Sequence, residues 1–240
     1  MNVKKITYNR SSNKFVIVFV LIIVILSIFL VYSYYHEQVI DEQSLRLKTL
    51  KALENTRSYR FDMYSNLSML NEDIQVIKAE GQVDLIKNNM IQSIIYSNRS
   101  MEVVIINDQA YYRENEGVWQ VQGLGDNEIL DDKLSEQRTA LFYAENATIL
   151  KEEGGWVLEI VPDREDILQQ MRTMGLDTSG SELKGFVTKY WIEDGTFYIR
   201  TVETDVDLEI NFMGIQTPVK LKNVIHMSNY NDKMTIQAPI

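Results

Sequence analysis

No cysteine occurs in the 240 residues, and there are only 2 histidines and 3 prolines. Without thiols the chain has no disulfide staple, no thiolate metal ligand and no cysteine on which a lipid anchor is built. The two histidines, His36 and His226, lie far apart, so they make no metal motif, and no metal site or cofactor is expected. The spacings G-x-S-x-G, H-E-x-x-H and the phosphate-binding glycine loop are absent as well. Basic charge is scarce: 24 Lys and Arg stand against 34 Asp and Glu, for a net charge of −10. A field of that sign repels phosphate backbones, which excludes nucleic acid as a partner.

One stretch is long and apolar without a single charge. Phe15–Tyr35, FVIVFVLIIVILSIFLVYSYY, spans about 31 Å as a helix, the thickness of a bilayer's hydrocarbon core. Lys4, Lys5, Arg10 and Lys14 precede it, and His36, Glu37, Asp41 and Glu42 follow. The positive-inside bias then predicts a single-pass anchor in the cell membrane, N-terminus cytoplasmic and C-terminal domain extracytoplasmic. The run is longer than a signal peptide's apolar region and leaves through YSYYHEQ, a poor cleavage site, so the anchor is expected to stay. Taking those four bases from the 24 leaves 20 against 34 acids outside. The expected parts are a basic tail over 1–14, the anchor over 15–35, a stalk over 36–43 and one domain over 44–240.

Within that domain the periodicity predicts an amphipathic helix over 40–55, with Leu45, Leu47, Leu50 and Leu53 at roughly helical spacing. From Tyr59 the period drops to two: Tyr59, Phe61, Met63, Ser65, Leu67 and Met69 alternate with more polar residues. Strands are predicted at 74–87, 90–97, 100–106, 109–114 and 117–122. Turn residues part them at short intervals, among them Asn107-Asp108 and Glu114-Asn-Glu-Gly117. That spacing requires antiparallel hairpins, since parallel neighbours need crossover helices. Helical spacing returns over 126–145, with Ile129, Leu130, Leu134, Ala140, Leu141 and Ala144 on one stripe. Strands 147–152 and 155–161 follow, then a helix over 163–175 and a loop over 176–182. Three long strands, 183–193, 196–212 and 218–230, are joined in part by an Asp194-Gly195 turn, with Pro218 opening the third. A short strand, Met234–Gln237, ends the chain. The class is α+β, with ten or eleven strands.

This order resembles the LolA-like and LppX-like family of extracytoplasmic lipid and lipoprotein carriers. The resemblance is carried by the opening helix running into Ala52-Leu-Glu-Asn-Thr-Arg-Ser-Tyr-Arg-Phe61. Tyr190-Trp-Ile-Glu-Asp-Gly-Thr196 is similar to the family's W-I-D-x-x-T hairpin, and Tyr230–Pro239 looks like its closing strand. It implies a strongly curved antiparallel sheet forming an unclosed half-barrel, with helices on its concave side, and a lipid or acyl-chain ligand. The chain departs from the family in keeping a protein anchor, which rules out free shuttling between membranes.

The strands carry more apolar residues than a sheet wetted on one side requires. Ile91, Ile94, Ile95 and Tyr96, then Met101, Val103, Val104, Ile105 and Ile106, are apolar on both parities. Either helices cover the second face or it lines a cavity. Ten methionines suit varied apolar guests. The candidate ligand contacts are Phe61, Met63, Leu67, Met69, Met101, Val103, Ile105, Trp119, Trp156 and Trp191. No catalytic residue is nominated. The acid pairs Asp131-Asp132, Glu152-Glu153 and Asp163 with Glu165 and Asp166 fall at turns and helix starts, where carboxylates suit the local dipole. Sequons at Asn66, Asn98 and Asn146 offer glycan acceptors. Two functions fit: an anchored binder or carrier of lipid, lipoprotein or another apolar ligand, or a cell-surface scaffold with a closed core that engages a membrane or cell-surface protein.

Overall fold

A helix opens the domain, Glu42–Glu54 (α1), and six strands follow: β1 Ser58–Met69, β2 Glu72–Asp84, β3 Asn89–Tyr96, β4 Arg99–Ile106, β5 Gln109–Glu114 and β6 Gln120–Gly123. A second helix, Lys133–Phe142 (α2), leads to β7 Ala147–Glu152, β8 Gly155–Ile160, β9 Glu182–Glu193, β10 Ile199–Phe212 and β11 Ile215–Ser228. This computed structural model describes residues 25–26, 40–70, 72–97, 99–124, 133–144, 146–165, 167, 182–212 and 215–239. The chain divides into two units, Met1–Asp41 and Glu42–Ile240, of which the second carries the sheet. The expected tail, nearly all of the anchor and the first half of the stalk lie outside the described residues. Among the described residues no helix is long and apolar enough to cross a membrane.

All eleven strands join one antiparallel sheet in the order β6-β5-β4-β3-β2-β1-β11-β10-β9-β8-β7. Two meanders, β1–β6 and β7–β11, are therefore stitched together where the last strand returns to the first. The outermost strands, β6 and β7, do not pair with each other, and the sheet is unclosed. Local chemistry sets the hairpins. Asn107 and Asp108 take φ of 51° and 59° between the paired residues Ile106 and Gln109, the left-handed pair a two-residue turn needs. In the β7–β8 turn Gly154 alone takes a left-handed conformation, at φ 79°. Register shifts at Ser65/Asn66, Ile199/Thr201 and Asp207/Leu208 mark bulges, which bend strands and add twist.

Register also sorts the side chains by face. Tyr59, Phe61, Met63 and Ser65 share a face with Val83, Ala79, Ile225, Met227, Val202, Tyr190 and Leu158. Both helices lie on this side: Leu134 N of α2 donates to Tyr59 Oη at 3.4 Å, and Arg46 of α1 donates to the Ala144 carbonyl. Leu45, Leu53, Leu134 and Leu141 are fully buried there, each burial worth about 1.5–3 kcal/mol.

Several expected boundaries move. On α1 the buried stripe is Leu45, Thr49 and Leu53, a strict four-residue spacing, which leaves Leu47 exposed on the far side. On α2 it is Leu134, Gln137 and Leu141, so Ala140 turns outward instead of joining it. Residues 125–132, with Ile129 and Leu130, lie outside the described residues, as does the predicted helix over 163–175 beyond Ile167. Asp194-Gly195 belongs to a longer loop in which Phe197 N donates to the Glu193 carbonyl at 3.0 Å, and β10 starts at Ile199. Pro218 stands inside β11, one residue beyond the last β1 pair, Met69 with Val219. Met234–Gln237 is not a strand: β11 already has β1 on one side and β10 on the other, so the tail finds no free edge beside it.

Candidate functional site

Between α2 and the helix-side face of β8–β11 lies a cleft of about 990 Å³. That volume is at the upper end of ordinary small-molecule sites. Its roof is the α2 surface from Ser135 through Gln137 to Ala144, and its side wall is the Val161–Asp163 turn with Ile167. Its floor is Ile160, Phe186, Thr188, Tyr190, Thr204 and Asn223. Proline and aspartate explain the side wall. Asp163 Oδ1 accepts from Glu165 N at 2.7 Å and the Asp163 carbonyl accepts from Ile167 N at 3.3 Å, so the acid expected at a helix start caps one.

The floor is built in rows that run across the strands. One row, Met63–Ile225–Val202–Tyr190–Leu158, is apolar apart from a phenol. Another, Leu67–Leu221–Val206–Phe186, is wholly apolar and half-buried. Between them, in register, runs Ser65–Asn223–Thr204–Thr188. These four pair among themselves: Ser65 Oγ donates to Asn223 Oδ1 at 2.9 Å, and the Thr188 and Thr204 hydroxyls lie 3.2 Å apart. The cleft thus has a neutral polar band flanked by apolar ones. Burial pushes the Tyr190 hydroxyl well above the ordinary phenol range, so it stays a neutral donor.

The reverse of the same strands is ionic. Lys222 contacts Glu203 at 2.8 Å, Lys184 bridges Glu182 at 2.7 Å and Glu209 at 2.9 Å, and Lys189 lies 3.6 Å from Glu159. The Glu203 hydrogen bond raises the Lys222 pKa, while burial raises that of Asp205 against the pull of Lys222. At the β7–β8 edge the hydrogen bond from Lys151 lowers Asp194. Behind the cleft these strands are wetted by charge, and at the cleft floor they present neutral and apolar groups.

Register places Phe61, Met63, Leu67, Met69, Met101, Val103 and Ile105 on the helix side. None of the seven lines the cleft itself; they continue its floor sideways over β1 and β4. Phe61 is fully buried across Gly81 and serves the core. Trp156 also faces the helix side but is buried against Ile192 and beneath Lys151, whose ammonium stands 4.0 Å from its ring. Trp191 points to the opposite face, where it lines a groove of about 290 Å³ with Val157 and Leu150. Trp119 stacks under the Arg113 guanidinium at 4.7 Å, and Arg113 clasps Glu102 through two hydrogen bonds on that opposite face. The residues that form the cleft, Phe186, Thr188, Tyr190, Thr204 and Asn223, were not nominated from sequence. Their signal was faint: one small polar residue on the apolar parity of each of several strands.

Other nominated groups have plain roles. His226 is exposed, with Nδ1 3.1 Å from the Thr201 hydroxyl. Asn66 sits mid-strand between β2 and β11, Asn146 is exposed just before β7, and Asn98 lies outside the described residues. Asp131, Asp132 and Asp166 also lie outside them. Among the described residues no group of three or more acidic or histidine side chains is arranged to hold a metal.

No protein-family model matches the chain, and no curated protein matches it. Among solved structures, a LolA superfamily protein from Nitrosomonas europaea is similar at 11% identity and TM-score 0.29, over 82% of this chain and 96% of that one. A DUF1329 family protein from Desulfovibrio piger aligns at 9% identity and TM-score 0.28, over 80% and 94%. A Vibrio parahaemolyticus domain assigned to outer membrane lipoprotein sorting aligns at 10% and 0.26, over 79% and 92%. At these scores too little backbone superposes for the likenesses to carry an assignment.

Proposed function

We propose that the chain is a membrane-anchored, extracytoplasmic binding protein that holds a lipid or other apolar ligand on the helix side of its sheet. The observation that carries this reading is the 990 Å³ cleft under α2, floored by apolar rows of an unclosed sheet and backed by ion pairs on the reverse of β8–β11. The half-barrel reading agrees with it: two meanders with both outer edges free and both helices on one face. The apolar run at 15–35 supports the anchor and the basic residues before it support the orientation. Binding needs no covalent step, since burial of acyl carbons supplies about 0.8 kcal/mol per CH₂.

Protein extracted from membranes in mild detergent is expected to carry a lipid at one per chain by native mass spectrometry. Recovery of the bare polypeptide alone overturns the reading. Protease added to intact cells is expected to digest the domain after the anchor; full protection overturns the orientation.

A second reading, a protein-binding module, is favoured by one observation. On the face opposite the helices Ile91, Ile95 and Val121 are exposed beside the buried Val104 and Tyr111. Charge substitutions at Ile91 and Ile95 that abolish a co-purifying membrane protein, in a chain that carries no lipid, favour it over the first.

A further inference from the structure

The polar content of the cleft restricts what its occupant's polar part can be. Among the described residues two charged ones line the cleft, Glu136 and Asp163, and both are acids. Both are engaged at its rim: Glu136 by Lys133 at 2.7 Å, Asp163 by the backbone of its own turn. No lysine or arginine lines it among the described residues. The interior polar groups are a phenol, two threonine hydroxyls and the amide of Asn223, with the buried amide of Gln137 facing them from α2. Each exchanges hydrogen bonds without changing charge. An anionic headgroup taken onto this band would lose its hydration and find no cation among the described residues that line the cleft, a net cost. An ester or hydroxyl suits the band, because threonine and amide side chains supply donors and acceptors together.

Resting on the binder reading above, we infer that the cleft selects an uncharged amphiphile of the acylglycerol class. Its ester and hydroxyl groups lie across Thr188, Thr204 and Asn223, and its chain runs over the apolar rows on either side. Anionic lipids of equal chain length are rejected. The band adds to this discrimination by hydrogen-bonding the ester, and register across four strands fixes where its side chains stand.

The test uses the full chain in nanodiscs of zwitterionic lipid and displacement of an apolar fluorescent probe, 1-aminoanthracene. The competitors are 1-oleoylglycerol, oleate and oleoyl-lysophosphatidate. Expected is displacement by 1-oleoylglycerol at a concentration at least about ten-fold lower than by either anion. Thr188→Val with Thr204→Val, which keeps the β-branch and strand preference and removes both hydroxyls, is expected to retain the probe and reduce that preference to about three-fold or less. Thr188→Ser with Thr204→Ser is expected to restore it. Equal or better displacement by the anions, or a preference untouched by the valine pair, overturns the selectivity while the binder reading stands. Failure of the chain to bind the probe at all overturns both.

Discussion

Phe61 of β1 lies directly across from Gly81 of β2, and its ring occupies the space a side chain at position 81 would take. A Cβ built on Gly81 sits 2.5 Å from the ring and 2.9 Å from the Ile91 carbonyl. The ring is 2% exposed and has nowhere to go. Gly81→Ala is therefore expected to destabilise the domain by roughly 1–3 kcal/mol through overpacking. Phe61→Leu in the same chain is expected to recover part of that loss. A double-mutant cycle by denaturant titration checks it, and additive losses sink the pairing.

Adjacent positions on β10 test the two faces of the sheet. Thr204 points into the cleft and Glu203 points to the ionic face, 2.8 Å from Lys222. Thr204→Phe is expected to fill the cleft floor and weaken binding of an apolar probe by about ten-fold or more. Glu203→Gln is expected to leave probe affinity unchanged and to cost about 0–1 kcal/mol of stability, as part-exposed ion pairs do. Probe titrations with thermal melts of both variants separate the outcomes.

Legibility of the fold followed the range of the interactions that set each feature. Hairpin turns depend on two or three neighbouring residues, and Asn107-Asp108 fell where the sequence placed it. Antiparallel pairing followed from turn spacing, and so did the long strands; the short one at Met234–Gln237 did not form. The return of β11 beside β1 is a contact between distant residues, and its partner was not readable without the resemblance. The cleft was harder still. Thr188, Thr204 and Asn223 each look like an ordinary polar lapse in an apolar pattern, and only register aligns them. Trp119 and Trp191 attracted notice by size, yet parity alone does not say which face of a sheet carries the helices. Leu47 shows the same limit within one helix, where four leucines at loose spacing leave the buried stripe ambiguous.

Asp205 links stability to pH. Burial raises its pKa, and Glu203 adds to the effect while Lys222 opposes it. An acid whose folded pKa is raised binds its proton more tightly in the folded state, so its carboxylate form costs stability above that pKa. The cost disappears as pH falls through the folded pKa. Asp205→Asn is therefore expected to be more stable than the parent at about pH 7, with the difference shrinking in the acid range. Paired denaturant curves at both pH values check the sign; a variant less stable at neutral pH refutes it.

Leu45 and Leu47 sit two residues apart on α1 and face opposite environments. Leu45 is 0% exposed and Leu47 56%. Leu45 shares its stripe with Thr49 and Leu53, and the helix is tied to α2 through Arg46 and the Ala144 carbonyl. Removing a buried leucine side chain leaves a cavity that packed neighbours close only in part, so Leu45→Ala is expected to cost about 2–5 kcal/mol. Leu47→Ala lies on the solvent side and gains helix propensity, so its effect is expected to stay within about 0.5 kcal/mol. If the two variants melt together, α1 does not pack through the Leu45 stripe, and the wall that closes the domain behind α2 is wrongly drawn. If they separate as stated, the apolar stripe that holds the first helix to the sheet domain is the four-residue one, and ligand retention is expected to fall with Leu45→Ala and not with Leu47→Ala.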